Sequence, residues 1–204
     1  MRGEVPAVSR RTTDPFTRFA QVLTEAEQAG IEDHNAMVVS TVSAEGRPSS
    51  RVVLLKSHDE RGFVFFTNLE SRKGTEIRAN ARVALNFHWR VLHKQVVILG
   101  AASQVDDAEA DEYFATRSRG SQLGAWASHQ SRPLESRAHL VGDVARLEAR
   151  FVGREVPRPP HWSGFRVRPD WIEFWTAGAF RLHDRIAYER EGDGDGWRRL
   201  RLNP

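Results

Sequence analysis

The sequence predicts a mainly β protein, an antiparallel barrel or sandwich with flanking helices, and three observations carry that expectation. Short apolar runs rich in β-branched and aromatic residues recur at 36–42, 51–56, 63–67, 83–89 and 95–105. Most are separated by tight turns, which argues against alternating βαβ units. After a helical middle, the same pattern returns from 164 to the end.

The 204 residues suffice for one domain with a real core. That domain is expected over 14–204, behind a mobile, polar and basic arm at 1–13. Hydrophobic content of 40% and charge of 28% are those of a soluble globular chain. Cysteine is absent, which excludes disulfides, thiolate metal sites and a cysteine nucleophile. No apolar run approaches the roughly 20 residues of a membrane helix. Arg10-Arg11 has no apolar segment behind it, so no secretory signal is read and a cytoplasmic location is expected. The net charge of +3 comes from scattered arginines, which suits anionic small ligands at least as well as nucleic acid.

Asp14-Pro15 opens a helix, a cap followed by proline, with Phe16, Phe19, Val22, Leu23 and Ala26 on one face and Gly30 closing it. Ala36 to Val42 reads as a strand, and Ser43 to Pro48 turns it into Arg51-Val-Val-Leu-Leu-Lys56. An apolar run of four bracketed by cations predicts a buried strand with charged ends. On a period of two, Arg51 and Lys56 point to opposite faces and are not expected to hold one anionic group at one spot. After a turn at 59–62, the strand from Phe63 to Thr67 runs into Ser71-Arg-Lys-Gly, a helix start capped by Ser71. Arg72 and Lys73 then occupy the first turn, where the helix dipole disfavours positive charge by roughly a few tenths of a kcal/mol. A bound phosphate reverses that sign. With Arg51 and Lys56 close in sequence, a phosphate-bearing ligand explains this better than a solvated basic turn.

Val83 to Trp89 and Gln95 to Val105 are strands joined by a short polar turn, and Asp106 to Arg117 is helical in composition. Tyr113, Arg117 and Ser121 would share one face if that helix continued, although Gly120 leaves the continuation open. They are donors suited to a phosphate, yet from spacing alone an ordinary polar stripe is the simpler account. Residues 124–131 carry no assignable pattern. A third helix is expected over 134–151 with Ala138, Val141, Val144, Leu147 and Phe151 inward, stopped by a proline-rich linker at 156–161. Gly164 to Val167 and Trp171 to Trp175 are strand-like on either side of Pro169. Phe180 to Tyr188 is a further strand, and a glycine-rich turn at 191–196 leads to a closing strand over Trp197 to Leu202. Alternation places Arg181, His183 and Arg185 on one face of their strand, with Leu182 and Asp184 on the other. Such a face calls for an anion or a catalytic task; an exposed basic strand is the alternative.

No G-x-S-x-G elbow, H-E-x-x-H or Walker loop is present, and the eight histidines lack metal-ligand spacing, so no metal site is expected. The Gly-Asp-Gly-Asp-Gly turn is too short for a calcium loop. What remains is a set of phosphate-suited cations on separate elements, with tryptophans at 126, 162, 171 and 175. That combination suits one or two planar, phosphorylated ligands.

Over 14–204 the chain resembles the pyridoxine (pyridoxamine) 5′-phosphate oxidase family. The matching motifs are RVVLLK (51–56), FFTNLESRKG (65–74), YFATRSRGSQLGAWAS with its QS (113–131), PPHWSGFRV (159–167), IEFW (172–175) and RLHDR (181–185). The resemblance implies an FMN-binding split β-barrel of antiparallel Greek-key type, working as a homodimer with FMN in clefts between the subunits. It implies oxidation of pyridoxamine 5′-phosphate and pyridoxine 5′-phosphate to pyridoxal 5′-phosphate, by hydride transfer from substrate C4′ to flavin N5, with O₂ as acceptor and H₂O₂ as product. By the same resemblance FMN is held by Arg51, Val52, Val53, Leu54, Leu55, Lys56, Phe66, Thr67, Arg72, Lys73, Gln95, Gln130, Ser131, Trp175 and Arg185. The substrate phosphate meets Lys56, Tyr113, Arg117 and Ser121, while Arg181, Leu182 and His183 flank the pyridine ring, Arg181 and His183 as the catalytic pair. Phe66 stands where related sequences often have tyrosine, a change of little consequence for a flavin contact made through the backbone; 31–35 and 176–179 also depart from the common pattern, which bears on substrate preference. Three other readings stand beside this one. A phenazine-pathway oxidase on the same barrel would not need the phosphate set. A non-catalytic flavin or pyridoxal-phosphate carrier would not need RLHDR. A nucleic-acid-binding barrel would need a continuous basic stripe interleaved with exposed aromatics.

Overall fold

Asp14 accepts the backbone N–H of Thr17 at 2.7 Å and so opens helix α1 (Pro15–Gln28), whose Phe16, Phe19, Val22 and Ala26 are buried. Their spacing lays one apolar stripe on the sheet below. The computed structural model describes residues 14–192, 194 and 196–204. The arm expected at 1–13 lies outside the described residues, as do Asp193 and Asp195 of the glycine-rich turn.

Among the described residues nine strands follow: β1 (Ala36–Val42), β2 (Pro48–Leu54), β3 (Ser57–Asp59), β4 (Gly62–Asn68), β5 (Arg82–Trp89), β6 (Lys94–Gln104), β7 (Trp162–Thr176), β8 (Asp184–Arg190) and β9 (Trp197–Leu202). They form one antiparallel sheet in the order β2-β1-β5-β6-β7-β4-β3, with β8 paired to β7 and β9 to β8. The two ends of that path, β2 and β3, are joined by only Leu55 and Lys56, and the Lys56 N–H reaches the Val64 carbonyl at 2.8 Å. The sheet therefore curls on itself as a split barrel. Helices α2 (Arg72–Ala79), α3 (Asp107–Thr116), α4 (Arg119–Ala127) and α5 (Arg137–Arg150) sit in the connections. No helix among the described residues is long and apolar enough to cross a membrane.

The main core lies between α1 and the barrel. Phe19 is fully buried, edge-on to Phe63 at 4.9 Å and Phe87 at 5.1 Å. A smaller core under α3–α5 gathers Phe114, Leu123, Phe151, Val156 and Trp162.

Several sequence expectations are corrected. Arg51 to Lys56 is not a buried strand: β2 starts at Pro48 and ends at Leu54, Val52 is 64% exposed, Val53 is only partly buried against the core, and Leu55 is the one residue of the segment fully buried there. Because the strand stops there, alternation does not carry through to Lys56. Pro169 does not divide the following β segment. β7 runs through it by slipping register at Leu99/Gly100, where a Cβ on Gly100 would lie 2.2 Å from the Arg168 carbonyl. The helix at 107 ends at Thr116, and Ser118 caps a separate α4 through the Ser121 N–H, so no single helix carries Tyr113, Arg117 and Ser121. In α5, Ala138 and Val141 are exposed; Val144 and Leu147 only partly bury, and Phe151 alone reaches the core. Finally, β8 begins at Asp184, so Arg181, His183 and Arg185 do not alternate along one strand.

Candidate active site

One end of the site is built on the start of α2. Ser71 Oγ accepts the Gly74 N–H at 3.3 Å and donates to the Asn68 carbonyl at 2.7 Å. Only glycine fits at 74, since a Cβ would lie 2.4 Å from the Leu69 carbonyl oxygen. This tight start places Arg72 and Lys73 in a first turn that holds no acidic residue. Lys73 folds inward and is buried, with Nζ donating to Thr67 Oγ1 at 3.0 Å and Gln130 Oε1 at 2.8 Å. Burial, and then the nearby Arg51 charge, push its ammonium down to about 8.

Arg51 reaches the same place from β2. It donates to the Val39 carbonyl at 3.2 Å and Thr41 Oγ1 at 2.6 Å, and its Nη2 lies 3.5 Å from Glu76 Oε2. Burial lowers its pKa against the opposing pull of Glu76. Glu76 Oε1 also accepts from Arg72 Nε at 2.9 Å. Burial alone would raise the Glu76 carboxyl, but hydrogen bonds from Ser49, Thr41 and Arg72 outweigh it and hold the group at about 2.

The opposite wall is aromatic. Phe66 stacks on Tyr113 at 4.1 Å and on Trp162 at 5.3 Å, the planes within 17° and 9°. The Arg117 guanidinium lies over the Trp162 ring at 4.8 Å, and Lys56 Nζ stands 5.8 Å from the Tyr113 centroid. Arg117 donates to the Ser121 carbonyl at 3.2 Å, across the break between α3 and α4. Its burial lowers its pKa, against the attraction of Tyr113.

These elements enclose a cleft of about 970 Å³. Of the residues singled out in the sequence, Arg51, Val52, Val53, Leu54, Lys56, Phe66, Thr67, Arg72, Lys73, Tyr113, Arg117, Ser121, Gln130 and Ser131 line it. Arg51 and Lys56 thus share one space, contrary to the alternation argument. Leu55 lies beneath, in the main core. Trp162 lines the cleft too, together with Ser49, Ser50, Asn68 and Ser128, which sequence reasoning passed over. Glu76 was also missed; its only sequence signal is the i, i+4 spacing from Arg72.

Gln95, Trp175, Arg181, Leu182, His183 and Arg185 gather elsewhere. Gln95 faces Trp175 across β6 and β7, and Trp175 faces Arg185 across β7 and β8. The Trp175 and His183 rings are 4.6 Å apart, and His183 Nδ1 accepts the Gly178 N–H at 3.2 Å. Arg185 donates to Glu173 at 2.7 Å, a bond that raises its pKa, and to the Asn203 carbonyl at 2.9 Å. Phe180 and Arg181 both take left-handed backbone angles, φ 55° and 64°, in a turn closed by the Leu182 N–H on the Ala179 carbonyl. That turn is why the expected strand from Phe180 fails. It needs Gly178, because a Cβ there would lie 1.9 Å from the Leu182 carbonyl oxygen. Phe180 and Leu182 are 93% and 70% exposed.

Comparison with known proteins agrees with this architecture. The pyridoxamine 5′-phosphate oxidase family model matches residues 23–151, and the pyridoxine 5′-phosphate oxidase C-terminal dimerisation region matches 162–204. A pyridoxine/pyridoxamine 5′-phosphate oxidase of Rubrobacter xylanophilus is 57% identical over 94% of this chain and 87% of its own. One from Myxococcus xanthus is 59% identical over 94% of this chain and 92% of its own. Among solved structures, PhzG from Burkholderia lata, in complex with tetrahydrophenazine-1-carboxylic acid, superposes with a TM-score of 0.89 at 34% identity, covering 99% of this chain and 100% of that one. A pyridoxamine 5′-phosphate oxidase-related, FMN-binding protein from Nostoc punctiforme shares the fold at a TM-score of 0.73 and 14% identity, over 93% and 98% of the two chains. On the family match across most of its length, the chain belongs to the pyridoxamine 5′-phosphate oxidase family.

Proposed function

We propose that this chain is an FMN-dependent oxidase converting pyridoxamine 5′-phosphate and pyridoxine 5′-phosphate to pyridoxal 5′-phosphate, with O₂ reduced to H₂O₂. It works in the cytoplasm as a homodimer. The observation that carries this reading is one cleft with two groups of cations, Arg51, Arg72 and Lys73 in one and Lys56 and Arg117 in the other, beside a flat aromatic wall. Two stacked, phosphorylated rings need two such anion sites and this much room. The donor set fits a flavin phosphate: an N-terminal helical turn, two guanidinium groups and a buried ammonium.

When bound, the flavin supplies the two-electron acceptor and passes the electrons to O₂. The residues of the chain do the rest. Arg51, Arg72 and Lys73 hold the flavin phosphate, with Thr67, Gln130 and Ser131 beside it. Lys56, Tyr113, Arg117 and Ser121 hold the substrate phosphate, fixing the ring before reaction. Gln95, Trp175, Arg181, His183 and Arg185 come from the partner copy. In support, they lie on or pair with the segment that matches the dimerisation region, and none lines the cleft of their own chain. Arg181 clamps the pyridine ring. His183 Nδ1 is engaged by the Gly178 N–H, so Nε2 is the atom that donates a hydrogen bond or moves a proton near C4′.

The test is direct. The purified protein should be yellow, and pyridoxamine 5′-phosphate with air should yield aldehyde and peroxide in equal amounts. A colourless protein that takes up no FMN overturns the reading, and flavin binding without turnover identifies a carrier. The likeness to PhzG favours a second reading, a carboxylated, unphosphorylated tricyclic substrate in the same cleft. Turnover of a reduced phenazine carboxylate, with none of the B6 phosphates, would establish it.

A further inference from the structure

Glu76 is 6% exposed at its side chain, yet it carries a full charge beneath a group of cations. Among the described residues four side chains converge on its two oxygens. Oε2 accepts from Thr41 and, at 2.6 Å, from Ser49, with Arg51 Nη2 3.5 Å away. Oε1 accepts Arg72 Nε at 2.9 Å. A buried carboxylate so fully donated to is costly to desolvate and has little reason to exist for stability alone, since apolar packing commonly does as well. Its neighbours give it another reason.

We propose that Glu76 is a positioning residue for the cofactor phosphate: its carboxylate locks the Arg51 and Arg72 guanidinium groups in the orientation that presents them to the cleft. Arg51 comes from β2 and Arg72 from α2, elements that share no backbone pairing, and Glu76 joins them. Among the described residues, Arg72 makes its hydrogen bond through Nε; the side chain stays 58% exposed and lines the cleft. Glu76 also trims the charge. With Lys73 protonated, three cations and one carboxylate leave two positive charges, the match for a phosphate dianion. The inference rests on the reading that these cations receive the flavin phosphate.

The experiment compares FMN with riboflavin, the same ring system without the phosphate. Apoprotein is titrated with each ligand and binding followed by quenching of flavin fluorescence, for the wild type, Glu76→Gln, Glu76→Asp and Lys73→Met. Glu76→Gln should weaken FMN about ten-fold, the scale of a lost charge-assisted contact, and leave riboflavin within about two-fold. Glu76→Asp keeps the charge and should recover part of the FMN preference. Should Glu76→Gln fail to fold, the Asp variant carries the test, with a smaller loss confined to FMN. Equal weakening of both flavins would reduce Glu76 to a structural role, and unchanged or tighter FMN binding would overturn the proposal. If Lys73→Met loses FMN preference while both Glu76 variants keep it, the cation reading stands and this inference alone falls. A wild type that does not distinguish FMN from riboflavin removes both.

Discussion

Lys73 Nζ donates to Gln130 Oε1 across 2.8 Å, tying the first turn of α2 to the loop after α4. The bond lies inside the cleft wall, and its ammonium is held down to about 8 by burial and by Arg51. A phosphate dianion beside it favours the charged form, so flavin phosphate binding takes up a proton wherever the free site has lost one. FMN affinity is therefore expected to be flat between about pH 7 and 8, where the phosphate is a dianion and Lys73 is charged, and to fall as pH rises beyond that, with riboflavin affinity unchanged. A fluorescence titration repeated across that range checks this, and Lys73→Met should abolish the dependence. The ligand-free fold responds oppositely. A lysine whose folded pKa is depressed penalises folding while charged, and that penalty is relieved as pH rises from about 8 towards the ordinary 10.5.

Glu76 sets the acid limit of the same region. Its folded pKa of about 2 lies below the ordinary 4.5, so its stabilisation is complete above the latter and lost as pH falls through the former. Denaturant melts between those limits should show the wild type losing stability more steeply than Glu76→Gln. Parallel curves would mean that the carboxylate contributes nothing to acid unfolding.

Arg117 is packed on Trp162 and joined to Ser121, in the group assigned to the substrate phosphate. A phosphate contact there would be equal in ground and transition states, so Arg117→Ala should raise KM by roughly ten-fold or more with kcat little changed. Steady-state kinetics with pyridoxamine 5′-phosphate decide it, and an unaltered KM would remove the assignment.

Arg181 stands in the left-handed turn away from its own cleft. Arg181→Ala should lower kcat strongly and leave FMN binding in place. Mixing Arg117→Ala with Arg181→Ala chains gives a sharper check. If each cleft takes Arg117 from one chain and Arg181 from the other, a mixed dimer has one cleft with both defects and one with neither. Random exchange of equal amounts should restore about a quarter of wild-type activity, because half of the dimers are mixed and each has one whole site. No recovery after confirmed exchange would show that both arginines serve the same chain.

Much of the fold was legible because its signals are local. Asp14-Pro15, Ser71 and the turn at 43–48 each declare an element within a few residues, and the structure uses all three. Where context decides, the pattern misled. Val52 lines the cleft and Val53 both lines it and packs against the core, and a cleft wall and a core strand read alike in sequence. Pro169 breaks no strand because the slip at Leu99/Gly100 absorbs its missing N–H and its bend. Phe180 and Arg181 at positive φ have no residue signature, since glycine is the usual mark of that geometry. The bond from Lys73 to Gln130 spans 57 positions and has no local trace. Tyr113, Arg117 and Ser121 do come together, but through a helix break at Ser118 instead of one continuous face.

The separation of Trp175 and Arg185 from the cleft has one more consequence. If each cleft is finished by its neighbour, cofactor loading and subunit pairing are a single linked equilibrium. Diluting the enzyme should then bleach it, and saturating it with FMN should slow the exchange of chains between dimers. Scarcity of riboflavin would accordingly be felt first as a shortage of assembled protein.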